Sequence, residues 1–163
     1  MEELIKKIEN WAEERNLING STPQKQFIKL MEEFGELCAG ISKNKLDIIK
    51  DSLGDCFVVI VILAKQTNSE FDFEPLPLRG YKGVDQWIEK CLGKFASISK
   101  KINYGGKYNR HIEYDLGYAL FSLIMLASEY ELSFLECVKG AWDEIKDRKG
   151  RMINGVFVKE QDL

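Results

Sequence analysis

The stretch Ile49–Lys65, IKDSLGDCFVVIVILAK, decides the fold. Its run from Cys56 to Ala64 is apolar without a break and rich in β-branched residues, so periodicity alone reads it equally well as a buried strand or a central helix. A second stretch settles the matter. Ile112–Ser128, IEYDLGYALFSLIMLAS, lies over the first without a gap, matching Ile, Leu-Gly and Leu-Ala and aligning apolar residues almost throughout. Rich in Leu, Ala and Met, this copy favours a helix, and by alignment so does the first.

The segments before each copy align as well. Phe27, Leu30, Met31, Phe34, Leu37 and Ile41 stand over Ile88, Cys91, Leu92, Phe95, Ile98 and Ile102. The expected fold is therefore all-α, a pseudo-symmetric helical bundle built from two duplicated helical hairpins. An additional first helix is expected on Leu4, Ile5, Ile8, Trp11 and Ala12, ending in the turn-forming NLINGS. The first hairpin opens with Ser21 or Thr22 as N-cap and Pro23 in the first turn. A last helix, SFLECVKGAWDEIKDRKG, is expected to run to Gly150, and Asn154-Gly155 between apolar residues marks a small C-terminal hairpin. The whole chain, 1–163, reads as a single domain: an acidic half at about 20–67, a linker at about 68–83, an acid-depleted copy at about 84–130, and the C-terminal helix and hairpin at about 133–160.

With 163 residues, 45% hydrophobic composition and a net charge of -3, the chain suits one sizeable core and argues against a nucleic acid polymer as partner. Cys38, Cys56, Cys91 and Cys137 lie far apart among apolar residues, as reduced thiols do. The acidic, amphipathic N-terminus MEELIKKIEN is unlike a secretory leader, and the apolar run of the first copy is too short to span a bilayer. The expectation is a soluble, cytoplasmic protein without a membrane partner.

Acidity, unlike apolar pattern, is confined to one copy. Glu32, Glu33 and Glu36 align with Gly93, Lys94 and Ser97, and Asp51 and Asp55 align with Tyr114 and Tyr118. On a helix Glu32 or Glu33 with Glu36, and Asp51 with Asp55, are neighbours whose repulsion costs roughly 0.2–0.5 kcal/mol per pair unless a cation offsets it. Val58, Val59 and Ile62 share the face of Asp55, so that carboxylate heads into the core, where it must be protonated, paired or metal-bound. Five acids facing one another across two antiparallel helices, with oxygen ligands and no histidine cluster, favour Mg²⁺ or Mn²⁺. The lone His111 reads as a surface or loop residue. Lys29 falls on the acidic face, as a salt-bridge partner or a phosphate contact. The basic cluster Lys146, Arg148, Lys149 and Arg151 either completes the last helix's dipole or holds phosphates. Trp11, Phe27 and Trp142 read as packing residues.

These residues resemble the MazG-like nucleoside triphosphate pyrophosphohydrolases, within the all-α superfamily that also includes the dimeric dUTPases. The family's Glu-Glu-x-x-Glu motif is matched by Glu32, Glu33 and Glu36 within QFIKLMEEFGEL, where Gln26, Lys29, Leu30 and Gly35 are similar to its usual context. Its Glu-x-x-Asp motif is met in part by DSLGDCF: Asp55 fits the Asp, Ser52 stands where Glu is expected, and Asp51 lies one position earlier. The resemblance implies Mg²⁺-dependent attack of water on the α-phosphorus of a (d)NTP, giving monophosphate and pyrophosphate. It implies Glu33, Glu36 and Asp55 as metal ligands, Glu32 as a further catalytic acid, and Gln26, Lys29, Lys146 and Arg148 as substrate contacts; Asp51, beside the departure at Ser52, is read as the remaining metal ligand. It also implies association into a homodimer or higher homo-oligomer. Two rivals remain: an enzyme dedicated to dUTP or dCTP, and a helical interaction module that has lost activity.

Overall fold

The ambiguous run folds as a helix that is apolar all round because it lies at the centre of the molecule. In the computed structural model, which describes residues 1–70, 83–104 and 112–163, every residue from Cys56 to Ala64 is buried. Seven α-helices are described: α1 (Glu2–Glu14), α2 (Leu17–Gly20), α3 (Pro23–Ser42), α4 (Leu46–Gln66), α5 (Val84–Tyr104), α6 (Ile112–Glu129) and α7 (Phe134–Ile145). Two short antiparallel strands follow, β1 (Gly150–Ile153) and β2 (Val156–Lys159), and then a 3-10 turn, Glu160–Asp162.

α3 and α4 form one helical hairpin and α5 and α6 the other, as the aligned copies require. Phe34 and Phe95, which the alignment sets over one another, meet edge to face at 5.0 Å. Contact between equivalent positions is what a two-fold relation places near its axis. The linker and the second copy's loop, His111 included, lie largely outside the described residues.

Thr22 caps α3, its hydroxyl accepting from the Lys25 backbone N–H at 3.3 Å, with Pro23 in the first turn. Two boundaries differ from expectation. NLINGS is not simply a turn: Asn16 takes a left-handed φ of 56°, which a short polar side chain tolerates, and Leu17–Gly20 then makes one helical turn. Gln66 holds that turn to α4, its amide donating to the Leu17 carbonyl at 2.9 Å. The last helix stops at Ile145 rather than Gly150. Lys146 to Lys149 form the link into β1, so the basic cluster follows the helix instead of completing it.

α7 crosses α4 closely at Gly54, where an added Cβ would stand 2.4 Å from the Cys137 carbonyl oxygen and 2.8 Å from Ala141. That approach carries the end of α7 over Asp51 and Asp55. At the hairpin tip Asn154 and Gly155 have φ of 51° and 77°, the two left-handed residues of a two-residue turn. The four cysteines are free, and burial pushes the Cys91 thiol up to about 12, far from a reactive thiolate. Among the described residues no single helix is long and apolar enough to cross a membrane.

Candidate active site

Between the first hairpin, α1–α2 and the C-terminal segment lies a cleft of about 550 Å³. α3 contributes Glu36, Glu33, Glu32, Lys29, Gln26 and Lys25 to its wall, and α4 contributes Asp51, Asp55, Val58, Val59 and Ile62. Helical spacing explains both sets, since residues three and four apart fall on one face. The five acids that the sequence singles out thus share one cavity, as do Gln26, Lys29 and Arg148. Lys146 does not. It caps α7, and its ammonium bonds Asp143 at 2.6 Å on the outer surface, while the turn after Ile145 sends Arg148 to the cleft side.

Charge is unevenly matched within the cavity. Glu33 is buried, with 6% of its surface exposed, and meets the Lys29 ammonium at 2.6 Å; Glu32 meets the same group at 3.0 Å. Burial lowers the affinity of Lys29 for its proton, but its bonds to Glu33 and Glu32 outweigh this and hold it above the ordinary lysine value. Asp55 has no such compensation. Burial, and then the negative charges of Glu33, Asp51 and Glu144, push its carboxyl up to about 7, with Arg148 pulling weakly the other way. Asp51 is raised for similar reasons, burial first and then Glu144.

Glu144 is the acid that the sequence reading missed. It lies in AWDEIKDRKG, which reads as a solvated helix face, and reaches the cleft only through the close α4–α7 crossing. It also pairs with Arg148 at 3.8 Å. Lys25, Lys159, Val156 and Phe157 were likewise not singled out, because nothing local marks them as neighbours of α4. Ser52, in contrast, is 1% exposed, and its hydroxyl has no hydrogen-bond partner. It does not line the cleft, whereas Asp51 does.

Arg15 fixes the chain beside Arg148. Its guanidinium donates to the Arg148 carbonyl at 2.9 Å and the Lys146 carbonyl at 3.2 Å, and lies 4.9 Å from the centre of the Trp11 ring. The hairpin tip is held similarly, the Lys25 ammonium donating to the Asn154 carbonyl. Both bonds act on backbone carbonyls, so they set the position of the segment independently of its side chains.

Among the described residues, no three carboxyl groups stand close enough to enclose one ion as they are. The donor set nonetheless fits a hard divalent cation: oxygen ligands alone, five acids of one hairpin lining one cavity, and a lysine ammonium already seated between two of them.

Comparison with known proteins agrees with this chemistry. The family of MazG nucleotide pyrophosphohydrolase domains matches residues 21–76, which contain all five sequence-predicted acids. The chain is 43% identical over 159 residues, covering 86% of it and 97% of the relative, to the "Uncharacterized 18.2 kDa protein in rep-hol intergenic region" of Haemophilus phage HP1 (strain HP1c1). No solved structure matches.

Proposed function

Because the chain belongs to the MazG nucleotide pyrophosphohydrolase family, we propose that it hydrolyses a (d)NTP to monophosphate and pyrophosphate with Mg²⁺ or Mn²⁺. The observation that carries this reading is the convergence of Glu32, Glu33, Glu36, Asp51, Asp55 and Glu144 in one cleft with Lys29 and Arg148. Glu33, Glu36, Asp51 and Asp55 would hold the ion. When bound, it offsets triphosphate charge and acidifies a water molecule.

The side chains supply the rest. Lys29 and Arg148 bind phosphate oxygens, Arg148 suited to a two-pronged contact and steadied by Arg15 through its backbone carbonyl. Glu32, exposed as Glu36 is, orients the attacking water and takes its proton. A bond forms from the water oxygen to the α-phosphorus, the α–β bridging bond breaks, and pyrophosphate leaves with the electron pair. Glu144 keeps Arg148 in reach of the leaving group.

We read the whole chain as one domain with the acidic half at about 20–67 and the acid-depleted copy at about 84–130. Association of chains into a homodimer or larger assembly is a separate expectation, which light scattering checks. The functional test is pyrophosphate release from all eight common (d)NTPs, with Mg²⁺ and with EDTA. Release from several nucleotides only with the metal is expected. Release from dUTP or dCTP alone would indicate a dedicated enzyme, and none from any would leave a helical interaction module.

A further inference from the structure

The cleft is chemically divided along its length. On α4 its lining runs from Asp51 and Asp55 to Val58, Val59 and Ile62, and Ile62 lies about 10 Å along the helix axis from Asp55. α3 runs the opposite way, from Glu36 and Glu33 past Lys29 to Gln26 at the same far end. There the lining is Trp11 and Leu17 together with Val156 and Phe157 of β2. Trp11 is buried, 6% exposed, and its ring stands 6.1 Å from that of Phe157 at 60°. Phe157 is only partly buried and lines the cavity beside Trp11.

Resting on the proposed pyrophosphohydrolase reading, we propose that this apolar end is the nucleoside subsite, with Phe157 the ring against which the base lies. The occupant follows from continuity: a triphosphate seated between the carboxylates, Lys29 and Arg148 directs its nucleoside along α4 toward Ile62. The wall is formed in advance, because Lys25 holds the hairpin tip by the Asn154 carbonyl and Met152 and Phe157 pack on the core. Few polar groups there are free to read the base: the Lys25 ammonium is held by the Asn154 carbonyl, and the Trp11 indole nitrogen is buried. Gln26 and Ser21 line that end, and their side chains stand 3.4 Å from one another. Stacking accepts any base, since each has a flat face, whereas strong selection needs dedicated hydrogen bonds. The subsite therefore selects for the presence of a base more than for its identity.

Binding of two probes to the full chain with Mg²⁺ tests this: α,β-imido nucleoside triphosphates carrying each base, and inorganic tripolyphosphate. Phe157→Ala should weaken the nucleotide analogues about tenfold or more and tripolyphosphate less than twofold. Phe157→Tyr, which keeps the ring, should bind as the wild type does, and Phe157→Leu, which preserves apolar packing without a flat face, should resemble Phe157→Ala. Equal losses for both probes, no loss for either, or one base bound a hundredfold better than the others would overturn the proposal. Wild-type protein that binds tripolyphosphate as tightly as the nucleotides would remove the nucleoside subsite alone, whereas binding of neither probe would remove the pyrophosphohydrolase reading with it.

Discussion

In the hairpin of α3 and α4, five carboxylates line an open cleft and only Lys29, among that hairpin's side chains, is seen bonded to them. In the hairpin of α5 and α6, the positions aligned with Glu33 and Glu36 are Lys94 and Ser97, and both reach one carboxylate, Asp115, at 3.1 and 2.5 Å. Lys101 adds a third bond at 2.5 Å, and Asp115 is 4% exposed. Asp115 stands over Ser52 in the alignment, so the second copy carries an acid where the first lacks the Glu its family leads one to expect. One hairpin keeps negative charge in surplus, and the other closes its charge internally. Lys94 also lies 4.5 Å from the Tyr118 ring centre, over residues that replace Asp51 and Asp55. The same backbone plan thus leaves its acids open to a cleft in one half and pairs its acid within the fold in the other.

The comparison breaks most visibly at Asp55. Asp55→Asn keeps the side chain's size and removes one charge from the open cluster. Turnover should fall by about a thousandfold, beyond the roughly 10–100-fold typical of residues that only support a metal ligand. Stability in EDTA should rise by about 1–3 kcal/mol, because an elevated carboxyl that must ionise at pH 8 costs the fold. Kinetics and denaturant melts on one preparation check both. Lower stability with unaltered turnover would put Asp55 among the structural charges.

Lys101→Met should do the reverse. It strips a buried carboxylate of a partner and should cost about 2–4 kcal/mol, with turnover per folded molecule within twofold of wild type. Acid dependence sharpens this. Burial raises the Asp115 carboxyl, but hydrogen bonds from Lys101, Ser97 and Lys94 outweigh it and hold it below its ordinary value. Its stabilisation is therefore complete above the unfolded value, about pH 4, and is lost as pH falls through the depressed folded one. Urea melts from pH 3 to 7 should show a shallower acid limb in the variant. An unchanged limb would mean that other carboxyls govern acid unfolding.

Much of this division was legible in the sequence, for physical reasons. Two copies with one apolar pattern resolved α4 as a helix, and their contrast in acidity separated Glu32, Glu33, Glu36, Asp51 and Asp55 from ordinary solvated charge. The stop of α7 at Ile145 was not legible, because Lys146 to Lys149 are compatible with another helical turn. Nor was Glu144, whose role depends on the close approach at Gly54 and not on any local pattern. Asp115 reads, with Glu113, as an ordinary first-turn acid in IEYDLGY, and its partners lie 14 to 21 residues earlier on another helix.

Smaller effects are expected around the departure from the family motif. Asp51→Asn should raise the Mg²⁺ concentration for half-maximal rate and lower turnover about tenfold, since a carboxylate offsets an ion's charge and an amide does not. Ser52→Ala should alter turnover less than twofold and change stability by about 1 kcal/mol or less, upward if anything, because the hydroxyl it removes is buried without a partner. Mg²⁺ titrations of activity compare the two. If Ser52→Ala is the more damaging, the serine and not Asp51 closes the site.

The most direct test of the acidic hairpin's role is hydrolysis of a (d)NTP in ¹⁸O-water, with the phosphorus products resolved by mass. The account predicts nucleoside monophosphate carrying the label and unlabelled pyrophosphate, formed with Mg²⁺ or Mn²⁺, abolished by EDTA and lost in Asp55→Asn. Nucleoside diphosphate with labelled orthophosphate, label in the pyrophosphate, or turnover undiminished in EDTA would contradict it.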